Sequence, residues 1–389
     1  MIASLLALAL AEEPARKPNP MWVGMPAMGF DTDDGLGFGA RLEFDWYKPG
    51  YDPYQAALVI QGYASTNGYH HHRLRFDTPG LGKAGKTRLF GHFAYRQWLN
   101  DGYWGIGNGT TVDRVTVGTD DEALRKRYRY NLVQPFGRLT MRQDLGGPWA
   151  WFAFLAGRYS VVQTYAGSLL EEEQPPGMEG GPAVQLGAGF LYDTREPELT
   201  PDTGVLVELA ARAVPLWPGV EGQWVAGFAS LRGFTALGPG VVFASRLMGE
   251  YMSGEIPFYD YITWGGLVPT IGMGGSETIR GVNFGRWRAP GKVLLNNELR
   301  VEAGTHQFLR REIRWQAVPF VDLGTVFGAG AGADFPFHPG VGFGMHPIVE
   351  KTFAGRFDFA VGMEVVEEDD GTVSYEPNPG GYVVFEHVF

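Results

Sequence analysis

Three consecutive histidines and an acidic run are the first residues in the sequence that could carry chemistry. The histidines occupy positions 70–72, and in a strand only the first and third would share a face. No carboxylates nearby complete a metal site around them. The acidic run 31–35 begins like a calcium loop, but the twelfth position is Leu42 and not glutamate. We therefore interpret the first run as interfacial histidines and the second as a turn, and we expect no metal and no cofactor.

An enzyme would need a nucleophile next to a base. Ser160, Ser230 and Ser245 lie in strand-like runs, and the chain contains 8 histidines. No nucleophile elbow and no triad spacing connects any of these serines to a histidine. We therefore expect the chain not to be an enzyme.

An Arg-Gly step, Arg280-Gly281, lies in a glycine-rich loop between two amphipathic runs. An arginine guanidinium presents a planar fork that matches carboxylates. Glu298 and Asp322 follow on the next two runs, and their positions in the alternation place both on one face of adjacent strands. Two readings of Arg280 stay open on the residues alone: a contact with these carboxylates, or an ordinary exposed loop arginine.

The composition favours strands and excludes one class of partner. Aromatic residues make up 14% of the 389 residues, and there are 57 glycines and 26 prolines. The net charge of −11 argues against nucleic-acid binding, because no basic face of sufficient size is available. The chain has no cysteine, so it forms no disulfides.

Alternation of polar and apolar residues predicts an all-β transmembrane antiparallel barrel. In 36–44 the even positions are apolar and the odd positions are glycine or charged. The runs 205–212, 243–251 and 356–365 show the same alternation with the apolar residues at odd positions. Charges of both signs recur on the polar face, as in a wet lumen, and aromatic residues lie near the strand ends. We predict strands at 35–45, 54–64, 69–77, 87–99, 128–143, 149–163, 183–194, 204–215, 223–235, 240–252, 291–303, 312–327, 339–348, 355–366 and 380–389.

These fifteen strands imply a sixteenth, because single-chain bacterial barrels have an even number. The loop that carries Arg280 should lie outside and the turn at 193–204 inside, which places the missing strand before residue 183. We predict it within 100–127 or 164–182. Residues 1–11 resemble a secretory signal peptide, residues 12–30 an irregular lead-in, and residues 31–389 the barrel.

Several motifs around Arg280 resemble the BamA/TamA superfamily of outer-membrane proteins, also called the bacterial surface antigen family. Ile279-Arg280-Gly281-Val282 is similar to the family's Val-Arg-Gly-Phe/Tyr loop motif, with valine in place of the aromatic residue. The run 320–324 matches the family's Phe-x-Asp-x-Gly strand, and 296–300 resembles its Asn-x-Glu-x-Arg pattern. The resemblance covers essentially the whole chain after the signal and is specific over 256–347.

The resemblance implies that the Arg280 loop folds back into the barrel lumen and is held there by the strands. The residues implied in this structural contact are Arg280, Gly281, Glu298, Phe320, Asp322 and Gly324. It also implies a lateral seam between the first and last strands, where glycine and proline weaken pairing. The seam residues are Gly35, Gly37, Gly39, Gly380, Gly381 and Phe389. Glycine could instead simply fit strand curvature and small inward positions.

The functional expectation is an outer-membrane barrel that assists protein or lipid insertion or translocation through this seam. Family assembly factors carry periplasmic POTRA domains before the barrel, and here only the short lead-in precedes it. We therefore expect a separate periplasmic partner, together with contacts to outer-membrane lipids and lipopolysaccharide. A passive or selective pore and a structural surface antigen are the alternatives.

Overall fold

The computed structural model describes one antiparallel barrel. It describes residues 20–32, 34–49, 51, 54–81, 85–117, 119, 121–198, 200–215, 222–308, 311–329, 336–349 and 353–385. The strands are β1 Met21–Asp31, β2 Gly35–Trp46, β3 Ala56–Ser65, β4 Tyr69–Leu81, β5 Thr87–Gly102, β6 Val112–Asp113, β7 Arg129–Gly146, β8 Trp149–Thr164, β9 Gly181–Asp193, β10 Gly204–Val214, β11 Trp224–Gly238, β12 Val241–Gly254, β13 Gly291–Phe308, β14 Arg311–Phe327, β15 His338–Val349, β16 Phe353–Glu367 and β17 Val373–Phe385. The two short helices are α1 Glu122–Arg125 and α2 Leu169–Glu173.

Sixteen of these strands form the closed wall. Each pairs antiparallel with the next strand of the wall along the chain, and β1 pairs with β17 to close the circle. The remaining element, β6, is a two-residue strand in the β5–β7 loop that pairs parallel with the end of β16. The predicted sixteen-stranded antiparallel barrel is therefore confirmed.

The sixteenth strand is β1, in a segment that we predicted to be irregular. Proline suggested a lead-in over 12–30, but a strand with only a short ladder on one side can hold Pro26 without losing an interior hydrogen bond. The missing strand does lie before residue 183, as the even strand number and the expected positions of the Arg280 loop and the turn at 193–204 required. Its predicted position within 100–127 or 164–182 was wrong, because those segments form loops that carry β6, α1 and α2. The barrel thus begins at Met21 and not at residue 31.

The wall is apolar outside and polar inside, as the alternation predicted. In β14, Val321 points outward with half of its surface exposed, whereas its neighbour Asp322 points inward and is fully buried. Large exposed hydrophobic side chains such as Phe359 and Phe190 recur around the whole outer wall. Such a surface is favourable against hydrocarbon and not against water. Among the described residues, the helices are all too short to cross a membrane.

The three longest connections lie at the same end of the barrel. Loops 103–128, 165–180 and 255–290 share the long-loop end, and the turn 194–203 lies at the short-turn end. The Arg280 loop and this turn are therefore at opposite ends, as predicted. Short turns at one rim and long loops at the other are typical of outer-membrane barrels.

The core of the molecule is the long β12–β13 loop, residues 255–290, packed inside the barrel. Trp264, Met273, Ile279 and Trp287 of this loop are fully buried, and they pack against inward side chains of the wall such as Leu294. We call this loop the plug. Its contacts cover the inner face of β10–β16, where nearly all inward-facing side chains are buried.

Candidate functional site: the Arg280 cluster and the β1–β17 junction

Arg280 reaches the wall because the loop backbone approaches β16 closely at Gly281. This glycine has φ of 88°, a conformation that side chains with a Cβ rarely adopt. A methyl group at this position would lie 2.3 Å from the backbone nitrogen of Gly362. The Gly281 N–H donates to the Tyr382 hydroxyl on β17 at 2.9 Å. Glycine is thus required here both by the turn and by the contact.

The Arg280 guanidinium binds three carboxylates from three strands. Its Nε and Nη2 donate to the two oxygens of Asp322 at 2.8 and 3.0 Å, a bidentate pair. Its Nη1 donates to Glu298 Oε1 at 3.0 Å and to Asp358 Oδ2 at 3.3 Å. The guanidinium carbon lies 3.4 Å from the centre of the Phe320 ring. All four charged side chains are completely buried, so the contact predicted from the sequence is present and is withdrawn from water.

The Phe-x-Asp-x-Gly strand now has a physical explanation, because its three motif residues face the plug in succession. Phe320 stacks on the guanidinium and Asp322 binds it. At Gly324 a methyl group would lie 2.5 Å from Ile279 Cδ1, so glycine leaves room for the plug. The period of two along a strand places these three side chains on one inner face.

A second layer of polar groups completes the cluster. The Asn296 side-chain amide donates to Asp322 Oδ1 and to the Thr278 carbonyl, each at 2.7 Å. Arg300 pairs with Glu298 at 2.9 Å, and Arg356 pairs with Asp358 at 3.0 Å. His346 Nε2 lies 2.8 Å from the other Asp358 oxygen. Together with Arg280, the two outer arginines balance the three carboxylates, so the buried network carries no large excess of charge.

Burial opposes the charged form of Arg280, but the neighbouring carboxylates outweigh it. Asp322 contributes most, followed by Glu298 and Asp358, and together they raise the pKa of the guanidinium above its ordinary value. Arg280 therefore stays charged throughout the accessible pH range. The Arg280 contact is therefore an electrostatic anchor between the loop and the wall.

Asp358 was missing from the predicted set. The alternation over 356–365 had already placed it on the polar face, but no motif connected it with Arg280. Other anchors of the plug also went unpredicted. Glu250 on β12 pairs with Arg212 at 2.6 Å and with Lys292 at 2.8 Å, and it accepts the Gly265 N–H at 2.7 Å. These contacts join residues that are distant in sequence, and only the fold brings them together.

The long-loop end is bridged by the β5–β7 loop. Arg286 of the plug donates to the Thr110 hydroxyl and carbonyl at 2.8 Å each and to Glu364 at 2.7 Å. Beyond Thr110, β6 pairs with the end of β16, and Arg114 pairs with Glu376 on β17. The plug is thereby connected at its outer end to the last two strands of the barrel.

The junction between β1 and β17 is the shortest ladder in the wall among the described residues. Phe30 pairs with Val383 and Asp31 with Tyr382, and the described ladder ends there. By contrast, eleven residue pairs join β1 to β2 and thirteen join β16 to β17. In the part of the chain that the structure describes, the junction with the fewest backbone pairs thus lies between the first and last strands, and we call it the seam.

The seam residues are only partly those predicted. Gly380 and Gly381 lie on β17 at the seam, and β17 begins at Val373, earlier than the predicted residue 380. Phe389 lies outside the described residues.

The three glycines predicted on the first strand do not border the seam. Gly35, Gly37 and Gly39 belong to β2, which is fully paired with β1 and β3. A methyl group at Gly37 would lie 1.8 Å from the Tyr63 hydroxyl, and one at Gly39 would lie 2.0 Å from the Gly62 carbonyl. These glycines therefore provide space on the inner face.

The histidine run shows the predicted alternation. His71 faces the lumen beside His92, whereas His70 and His72 share the outer face. Among the described residues, no group of three or more histidine, aspartate or glutamate side chains is arranged to hold a metal ion.

Comparison with solved structures finds the same barrel architecture in other proteins. BamA from Haemophilus ducreyi lacking POTRA domains 1–3 matches with a TM-score of 0.56 at 14% identity, over 95% of this chain and 70% of that chain. CdiB from Escherichia coli matches with a TM-score of 0.57 at 13% identity, over 95% and 64%. The chain has the barrel fold of these BamA and CdiB structures. CdiB from Acinetobacter baumannii, with a TM-score of 0.50 at 11% identity over 94% and 59%, shares it.

The chain spans less than two thirds of the length of either CdiB protein. No protein-family model matches the sequence, and no curated protein matches it either. At these identities the likeness concerns the fold, and the residues of the Arg280 cluster and the seam must carry the functional argument.

Proposed function

We propose that the protein is a bacterial outer-membrane barrel that assists the insertion or translocation of proteins or lipids through the β1–β17 seam. The observation that carries this proposal is the ladder at the seam, which has two pairs among the described residues, whereas the neighbouring β1–β2 and β16–β17 ladders have eleven and thirteen. A junction with fewer backbone pairs opens laterally at a lower cost.

The plug supports this function over a passive pore. Its side chains are buried against β10–β16 and are held by charge networks at Arg280 and Glu250, so this half of the lumen is filled. Filling this half of the lumen narrows the axial path, which supports a lateral route over a passive pore. We expect low and unsteady conductance in planar bilayers, and steady channels of porin size would favour the pore instead.

The proposal assigns no chemical step to the barrel itself, so we propose that it is not an enzyme. Contacts with outer-membrane lipids and lipopolysaccharide follow from the apolar outer wall. A separate periplasmic partner would deliver cargo to the short-turn end.

A disulfide across the seam tests the proposal, because the chain contains no cysteine of its own. Phe30 and Val383 are paired directly, and in an antiparallel sheet the Cα atoms of such a pair are close enough for a disulfide. We expect the oxidised F30C/V383C variant to fold and to lose the ability to support outer-membrane assembly in cells that lack the native copy. Reduction should restore it.

The matched control is M28C/F38C, which crosslinks β1 to β2 across a junction that is already continuous. Oxidation of this variant should leave assembly unchanged. If the locked seam supports assembly as well as the locked control does, the lateral route is not used.

A further inference from the structure

Two polar side chains lie in the middle of the apolar outer wall. Ser245 on β12 and Asn297 on β13 are paired directly across the two strands. Both point outward, because Arg246 and Glu298 next to them are buried on the lumenal side. The Ser245 hydroxyl donates to the Asn297 Oδ1 at 2.9 Å. We call these two residues the polar pair.

The residues around the polar pair are apolar. The next outward side chains along β12 are Phe243 and Leu247, which are both exposed, and those along β13 are Leu295 and Leu299. In the proposed outer-membrane setting these side chains face hydrocarbon. The polar pair therefore lies at a depth where water is not available as a hydrogen-bond partner.

The polar pair leaves hydrogen-bonding capacity unused. Among the described residues, none accepts a hydrogen bond from the Asn297 Nδ2 amide, which carries two donors. The Ser245 hydroxyl oxygen donates once and still has lone pairs that can accept. A side-chain amide in hydrocarbon is strongly unfavourable without a partner. The missing partner must supply both an acceptor and a donor at this depth.

Glycines near the polar pair leave space that the barrel itself does not use. Gly233 on β11 lies directly opposite Ser245, and Gly227 and Gly249 lie nearer the long-loop end of β11 and β12. A Cβ added at any of these three positions would meet no atom within 4 Å. Glycine weakens a strand, and the packing of this chain does not require it here. Small residues at such a surface allow a membrane partner to approach closely.

The same face of the wall carries a groove of about 740 Å³. Small outward residues such as Ala211 and Ala229 lie on its floor, and the exposed rings of Phe190 and Tyr251 border it. On β12, Leu247 separates this groove from the polar pair. The groove and the polar pair therefore form one continuous outer surface.

We propose that this face of β11–β13 is the contact surface for a second copy of the chain, with the two polar pairs facing each other. Barrels that insert into one membrane in the same direction are related by a twofold axis along the membrane normal, which brings equal depths of their outer walls together. The Asn297 amide of each copy then donates to an oxygen of the other copy's polar pair. The polar groups of a lipid lie at the membrane surface, so a lipid does not provide this partner.

This inference rests on the membrane placement in the proposed function and adds a partner to it. It does not depend on the seam. In the wall, β14, β15 and β16 separate β13 from β17, so the seam stays accessible in the dimer.

The first test uses single-cysteine variants of the full chain, which has no cysteine of its own, in lipid vesicles. L247C places a thiol between the polar pair and the groove and leaves both intact. A short bifunctional maleimide should link two copies of this variant. The matched control is L74C, at an exposed outward position of β4, and its dimer yield should be at least tenfold lower. Equal yields would mean that random collisions cause the crosslinks, and they would overturn the inference.

The second test removes the hydrogen bonds or fills the groove. N297L, made in the L247C chain, keeps the size of the side chain and removes the amide. We expect its dimer yield to fall about tenfold, in keeping with the loss of reciprocal hydrogen bonds inside a membrane. G249V should also lower the yield, while its heat resistance stays unchanged because the added side chain meets nothing in its own barrel. An unchanged yield in N297L would overturn the inference.

A third measurement separates this inference from the proposed function. The oxidised F30C/V383C chain should sediment as a dimer in mild detergent, as the native chain does, although it loses assembly activity. A native chain that floats with vesicles but sediments as a monomer would overturn the second copy and leave the lateral route intact. Capture of a different membrane protein by L247C, without dimers, would overturn it too. Full assembly activity in the locked chain would instead remove the lateral route and leave the dimer.

Discussion

The inner faces of β10–β16 and β2–β5 carry the same types of residues in the same alternation but in opposite environments. On β10–β16 the plug covers the wall, and charged groups such as Glu298 and Asp322 are completely buried. On β2–β5 the plug reaches the long-loop end, where Phe284 stacks on Trp98. Farther down this wall, the Arg41–Glu43 pair keeps 14% and 26% of its side-chain surface exposed. The difference between the two walls arises from a single loop and not from the strands.

This difference changes what an ion pair contributes. In the plugged wall the carboxylates of the Arg280 cluster are each bound by two or more donors, and the loss of one partner leaves a charge that water cannot reach. In the β2–β5 wall, water replaces a lost partner and the net effect is small. The same substitution should therefore be costly on one wall and nearly neutral on the other. One half of the barrel therefore gains stability from its buried ion pairs, and the other half keeps its ion pairs accessible to water.

The largest effect is expected from Arg280→Ala. It leaves Asp322 without its bidentate partner and removes one donor each from Glu298 and Asp358, all without access to water. Breaking a buried pair of this kind costs about 3–5 kcal/mol. We expect a folded barrel with a lower urea midpoint, lower heat resistance in mild detergent and faster proteolysis within 255–290. Arg125→Ala, at an exposed arginine of α1, is the control and should change stability by less than about 0.5 kcal/mol. Unchanged heat resistance and unchanged protection of the plug in the Arg280 variant would contradict its role as an anchor.

A somewhat smaller effect is expected from Gly281→Ala. The added methyl group would collide with the backbone of β16 at 2.3 Å, in addition to the strain of a positive φ. We expect a loss of about 2–4 kcal/mol, since overpacking and backbone strain each cost about 1–3 kcal/mol. Gly371→Ala is a matched control, because Gly371 has φ of 79° but nothing lies within 4 Å of the added methyl group. It should cost only the strain, about 1–2 kcal/mol. Equal losses in the two variants, measured by urea unfolding, would mean that the close contact with β16 is unimportant.

The strands could be predicted from the sequence because alternation is a local pattern, whereas the Arg280 contact followed from the family resemblance once alternation had placed Glu298 and Asp322 on the inner face. Alternation identifies which side chains face inward, and the short motifs around Arg280 and Asp322 connect the loop with the wall. Strand β1 was missed because proline lowers the strand signal, although a seam edge tolerates it.

The remaining contacts could not be predicted because they depend on how strands distant in sequence face one another. Asp358 joins the cluster from β16, and Glu250 meets Lys292 only because β12 and β13 are neighbours under the plug. Alternation indicates that such residues face inward, but it does not indicate which of them the plug covers. The division of the lumen into a covered wall and an uncovered wall therefore appears only in the structure.

The sharpest comparison of the two walls uses one substitution, glutamate to glutamine, at Glu298 and at Glu43. At Glu298 the Arg280 Nη1 donates to one carboxylate oxygen at 3.0 Å, and the Arg300 Nη2 lies 2.9 Å from the other. An amide group would turn one of these acceptors into a donor that faces a guanidinium, so we expect a loss of about 2–3 kcal/mol. At Glu43 the partly exposed Arg41 can turn to water, and the loss should stay below about 0.5 kcal/mol. Urea midpoints of the two variants, measured side by side in the same lipid, provide the comparison. Similar losses would mean that the β2–β5 wall is as closed to water as the plugged wall.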